Sequence, residues 1–246
     1  MRFLSPGRQG GRVCYPVPAR GERMNVLTIL RSVEELLYEV ISWLLFYPRT
    51  LWMTVTRPLR TMQYSDREQR DRPEQQYLET LSPPLFLVLS ILLAHGVELA
   101  FGLDVEKGTS AIGRMVTGNE QALLAFRALL FSLYAVIFAW LALGLTGKRV
   151  DRESLRAPFF AQCYLAGTTA ILISLGSIGL RANSSLAVGA GALVIAAATV
   201  WYIAVETAWL RRECGRGRVA AVAIALAAYA GASVLVFGLG LIVAWR

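Results

Sequence analysis

The chain holds one histidine, His95, and a glutamate follows it by three residues in "LLAHGVELAFG", residues 92–102. On a helix, groups three apart share a face, so His95 and Glu98 stand side by side. A histidine beside a carboxylate is the pair that a proton relay uses near neutral pH. The surrounding residues are apolar enough to sit in lipid, where each charge costs on the order of 3 kcal/mol and a hydrogen-bonded partner is the usual remedy. The next apolar stretch supplies one. Glu120, Arg127 and Tyr134 recur every seven residues and also share a face. Counting at about 1.5 Å per residue from the same end, Glu98 lies roughly 7 Å deep, and His95 and Arg127 roughly 12 Å. The short connection, 104–119, makes the two stretches neighbours. The sequence therefore predicts that Glu98 meets Arg127, with His95 beside them and Tyr134 on the same polar stripe. Three roles fit: a clamp between two helices, a proton- or substrate-handling site, or side chains snorkelling to the interface.

Other chemistry is poorly provided for. One histidine and three separated cysteines, Cys14, Cys163 and Cys214, offer no zinc or copper spacing and no disulfide pattern. No metal, cofactor or catalytic residue is expected. "HGVE" lacks the second half of a metallopeptidase motif, and no phosphate-binding glycine loop or G-x-S-x-G occurs. Glu206 in "WYIAVETAWLRR" is expected to snorkel or to pair with Arg211 and Arg212.

These residues need a membrane fold to place them. Of the 246 residues 55% are hydrophobic and 17% charged, with mean hydropathy +0.49, a membrane composition. Five apolar spans are predicted over 82–103, 120–146, 157–180, 185–210 and 219–245, each able to cross roughly 30 Å of hydrocarbon. Ser82 can cap the first, and Pro83 suits its first turn, where a missing N–H costs nothing. The expected fold is an all-α polytopic bundle of five transmembrane helices.

The net charge of +8 follows topology better than nucleic-acid binding. Twelve arginines precede the first span, four basic residues lie in "GKRVDRESLR" and four in "RRECGRGR". Against these twenty, the other side holds Lys107, Arg114, Arg181 and Arg246. The bias places the N-terminus in the cytoplasm and the C-terminus in the periplasm or outside, as an odd number of spans requires. A bacterial inner membrane fits.

Residues 1–23 are rich in Gly, Pro and Arg and lack the apolar core of a signal peptide. They read as a disordered basic arm, or as translated sequence upstream of a true start at Met24. Residues 24–63 form an amphipathic segment. Leu30, Val33, Leu37, Val40, Ile41, Leu44 and Leu45 recur with helical period, and Pro48 is expected to end that helix. A second short helix then carries Trp52, with Arg49, Arg57 and Arg60 available to anionic lipid headgroups at the cytoplasmic interface. The bland alternative is a helix packed beneath the bundle. Residues 64–81 read as a hydrated linker with a breaker at Pro73. Small residues at Gly176, Gly179, Gly189, Gly191 and Gly231 predict close helix packing in the last three spans, or a homo-oligomer face.

An amphipathic segment containing "LLFYPRTLWMTV", a linker, a proline-bearing first span and five spans ending outside resemble the Yip-domain family of Rab-GTPase-interacting membrane proteins, in its bacterial branch. Phe46, Pro48 and Thr50 in "FYPRTLW" resemble the F-x-P-x-x-T-like motif of bacterial members, with shortened spacing. The likeness is architectural over about residues 25–246. It implies a membrane-organising or partner-binding role and carries over no functional residue. Two functions follow as expectations: a non-enzymatic membrane scaffold, or a small permease or proton-coupled carrier using His95, Glu98 and Arg127.

Overall fold

A computed structural model describes residues 26–72, 75–103 and 110–244. The N-terminal arm, Pro73, Lys107 and Arg246 lie outside the described residues. Among the described residues eight helices follow in order: α1 Val26–Thr56, α2 Pro58–Glu68, α3 Pro83–Ala100, α4 Ala111–Thr117, α5 Glu120–Leu145, α6 Arg152–Leu180, α7 Ser185–Cys214 and α8 Arg218–Ala244. No strand occurs among the described residues. Helices α3, α5, α6, α7 and α8 are long and apolar enough to cross a membrane. The chain is an all-α polytopic membrane protein, and these spans coincide with the predicted ones to within a few residues. The exceptions are the start of α6 and the end of α7. Asp151 caps α6 five residues earlier than expected, accepting from the Ser154 and Glu153 amides while the Ser154 hydroxyl accepts from the Asp151 amide. Helix α7 runs on to Cys214, and Gly215 in the left-handed region at φ 60° ends it.

The described residues divide into two units, one up to Ile41 and one from Ser42. In the first, Arg31 and Glu35 pair one turn apart at 3.6 Å on the exposed surface of α1, a contact worth little by itself.

In the second unit α6 is the central helix. Every residue from Ala161 to Ile171 is buried. Against it lie α3, α5 and α7, with glycines at the contacts with α3 and α7. Gly167 admits the Phe86 ring and the Ser90 hydroxyl, both 3.0 Å from where a Cβ would sit. Gly176 and Gly179 face Gly191 so closely that a Cβ on Gly179 would lie 2.8 Å from both the Gly191 Cα and the Ala187 carbonyl. This is direct backbone packing, as the small-residue spacing predicted for two of the spans. Gly189 and Gly231 have open space around them, so neither mediates packing among the described residues.

At one end of the bundle α2 acts as a stopper. Met62 is fully buried with Phe138, Leu165, Tyr202 and Trp209, and Thr61 and Ser65 are buried beside it. Residues expected to be a hydrated linker are partly folded onto this helix. The Tyr77 hydroxyl accepts from Gln69 at 2.7 Å and lies 3.2 Å from Ser65 Oγ, and Tyr77 sets its ring edge-on to Tyr64.

Helix α1 runs through Pro48 rather than ending there. A proline inside a helix removes one ladder bond and costs about 3 kcal/mol. Here Trp43, Phe46, Tyr47 and Leu51, on both sides of the proline, pack on Leu81, Phe86 and Tyr164 and hold the two segments in line. The break falls instead at Arg57, whose φ of −138° and ψ of 54° precede Pro58, the first residue of α2.

Candidate functional site

The predicted polar cluster forms between α3, α5 and α6. Arg127 Nη1 stands 2.7 Å from Glu98 Oε2, with side chains 20% and 9% exposed. The N–H does not point along that line, so the two atoms meet as a contact ion pair rather than a linear hydrogen bond. The same Nη1 is 3.5 Å from His95 Nδ1, a weak contact. His95 Nε2 is buried and has no hydrogen-bond partner among the described residues.

The fourth member was not read from the sequence. Ser174 of α6 donates its hydroxyl to Glu98 Oε1, with the Ala94 carbonyl as a longer contact at 3.4 Å. Glu98 is thus held from two helices at once, by a cation on α5 and a hydroxyl on α6. Tyr134, expected on this cluster, lies elsewhere. Its hydroxyl is 3.1 Å from Ser233 of α8, and its ring packs among Tyr202 and Tyr229.

A second buried polar pair lies toward the α2 end. Gln162 Nε2 donates to Glu206 Oε2 at 3.1 Å, and both side chains are fully buried. Glu206 neither snorkels nor pairs with Arg211 or Arg212. Those residues lie five and six positions on, at least 120° around the helix from Glu206 by the 100° step per residue. Gln162 Oε1 and Glu206 Oε1 have no hydrogen-bond partner among the described residues.

Between these pairs a cavity of about 220 Å³ is bounded by α5, α6, α7 and α8, with Arg127, Tyr134, Thr169 and Tyr202 on its wall. A larger cleft of about 430 Å³ opens at the α2 end beside Asp66, Arg70, Lys148 and Glu213. Burial, and then the nearby Glu213, push the Asp66 carboxyl up to about 6, while Arg70 and Lys148 pull it down. No group of three metal-ligating side chains occurs among the described residues. Cys163 is buried and Cys214 half-buried, and both are free thiols.

The residues proposed for an interface lie along the outer side of α1 and at the start of α2. Trp52 is 71% exposed, and Leu44 and Leu45 on the same side are equally open. Arg49 pairs with Glu79 at 2.9 Å, and Arg57 and Arg60 are exposed. Thr50, pointing the other way, is fully buried and accepts from the Leu81 amide at 3.2 Å. From Ser42 to Thr56, α1 therefore packs Trp43, Phe46, Tyr47 and Leu51 on the bundle and leaves Leu44, Leu45 and Trp52 exposed.

Compared with protein-family models, curated proteins and solved structures, the chain matches none.

Proposed function

We propose that this chain is a non-enzymatic membrane scaffold that organises the bilayer, or holds a membrane-protein partner, at the cytoplasmic face of a bacterial inner membrane. The observation that supports it is the apolar exposure of α1. Leu44, Leu45 and Trp52 are exposed while Trp43, Phe46, Tyr47 and Leu51 are packed on the bundle. A helix held in this way lays its outer stripe in the acyl boundary of one leaflet, with Arg49, Arg57 and Arg60 level with anionic headgroups. The basic bias of the connections puts that leaflet on the cytoplasmic side. The resemblance to the Yip-domain family points the same way. Glu98, Arg127 and Ser174 act as a clamp in this reading. The test is a photo-cross-linking residue at Leu44 in native membranes: adducts to lipid or to one reproducible protein support the scaffold, and absence of both sinks it.

A second reading, a small proton-coupled carrier, draws support from the two buried carboxylates, Glu98 and Glu206, at different levels of the bundle. It predicts pH-driven flux in proteoliposomes that Glu206→Gln abolishes. Flux no greater than in protein-free liposomes removes it.

A further inference from the structure

The cleft of about 430 Å³ at the α2 end collects charges of both signs. Asp66 and Arg70 stand one turn apart along the chain at α2, Lys148 lies in the α5–α6 connection, Glu153 and Arg156 belong to the start of α6, and Glu213 to the end of α7. Three cations and three carboxylates thus line one space, and among the described residues none of them forms an ion pair. The pairs that do form are Arg31 with Glu35, Arg49 with Glu79 and Arg127 with Glu98. Burial and then Glu213 raise the Asp66 carboxyl despite Arg70 and Lys148, so the cations of the cleft leave Asp66 and Glu213 short of positive charge. Unpaired charges of both signs around one space fit an occupant that carries both, a cation for the two carboxylates and an anion for Lys148 and Arg156.

The cleft continues into an apolar groove. A hollow of about 810 Å³ between α5 and α6 shares Glu153 and Arg156 with it and is otherwise walled mainly by Val136, Leu155, Phe159 and Phe160. The Arg156 guanidinium lies over the Phe160 ring, 5.3 Å from its centre, which holds the cation where the polar and apolar spaces meet. From Arg152 to Phe160 the groove follows α6 for about 12 Å, from the end of the span inward. Val136 on the α5 side is exposed, and α5 and α6 are both apolar spans, so the groove opens to hydrocarbon. A soluble zwitterion would use the cleft alone. A lipid uses both, with its headgroup in the cleft and a chain along the groove.

We propose that the cleft and the adjoining groove bind one phospholipid whose headgroup carries a phosphate and an ammonium, with Lys148 and Arg156 on the phosphate, Asp66 and Glu213 on the ammonium, and an acyl chain between α5 and α6. The site uses no residue of α1, so it stands or falls independently of the scaffold reading.

The test uses the full chain in detergent micelles, with binding followed by native mass spectrometry and by melting temperature. Its probes are dioleoylphosphatidylethanolamine, dioleoylphosphatidylglycerol, which keeps the phosphate but has no amine, and phosphoethanolamine, which keeps the headgroup but has no chains. The parent is expected to bind the ethanolamine lipid about tenfold more tightly than the glycerol lipid, the size of one charge-assisted hydrogen bond, and free phosphoethanolamine far more weakly than its lipid. Asp66→Asn combined with Glu213→Gln should abolish the preference and keep the glycerol lipid bound, while Arg156→Gln should weaken both lipids. Glu213 is exposed, so Glu213→Gln alone keeps the fold and should lose part of the preference; circular dichroism of each variant should match the parent. Equal binding of the two lipids by the parent, binding of neither, a preference that survives in the variants, or phosphoethanolamine binding as tightly as its lipid would overturn the proposal.

Discussion

Glu98 Oε2 and Arg127 Nη1 meet at 2.7 Å between α3 and α5, while the other carboxylate oxygen takes the Ser174 hydroxyl from α6. One carboxylate thus ties three spans. Removing one partner of a buried pair strands the other charge and costs about 3 kcal/mol or more. Glu98→Gln and Arg127→Leu should each lower the melting temperature in detergent, and the double variant should lose less than the sum. Strictly additive losses would show that the two charges do not act on each other. Ser174→Ala should cost about 1–2 kcal/mol in the parent and far less in the Glu98→Ala background.

The contact of α6 with α7 yields a contrast between glycines. Gly179→Leu and Gly191→Leu place side chains into opposing backbone and should prevent a stable fold or cost well over about 3 kcal/mol. Gly189→Ala meets nothing within 4 Å and replaces a flexible residue inside a helix, a gain of about 0.5–1 kcal/mol. Thermal unfolding of the set checks this, and equal losses at Gly189 and Gly191 would contradict the packing.

Asp66 makes stability depend on pH. Its carboxyl is raised from 3.8 to about 6 in the folded state, chiefly by burial and then by Glu213, against the pull of Arg70 and Lys148. The folded state therefore holds this proton more tightly than the unfolded one, and stability falls as pH rises from about 4 through 6. Asp66→Asn should raise the melting temperature at pH 8 and leave it nearly unchanged at pH 4. A variant that loses stability equally at both would mean that the side chain serves another contact.

The spans were legible because an apolar run long enough for the bilayer admits few alternatives, and the backbone must bond within itself there. The ion pair was legible from two stripes of matching depth on helices joined by a short loop. Ser174 was not, since nothing in "ILISLGSIG" distinguishes a serine bonding its own helix from one reaching a neighbour. Gln162 and Glu206 are 44 positions apart, and only the α6–α7 packing brings them together. The misreading of Glu206 had a local cure, because Arg211 and Arg212 are not at the three- or four-residue spacing that shares a face. Pro48 shows tertiary packing overriding a local breaker, which only the contacts of Tyr47 and Leu51 reveal. Tyr134 kept to its predicted stripe but was drawn to α8, the helix whose position no spacing announced.

The account rests on where the outer stripe of α1 lies, and spin labels can locate it. In a cysteine-replaced background reconstituted into anionic liposomes, nitroxides at Leu44, Leu45 and Trp52 should be relaxed by oxygen and shielded from a water-soluble nickel complex. Their depth should be about 5–10 Å below the headgroups, and a label at Glu79, 73% exposed beside Arg49, should behave in the opposite way. Labels at Leu44, Leu45 and Trp52 as open to nickel as the one at Glu79 would put that stripe in water and contradict the account.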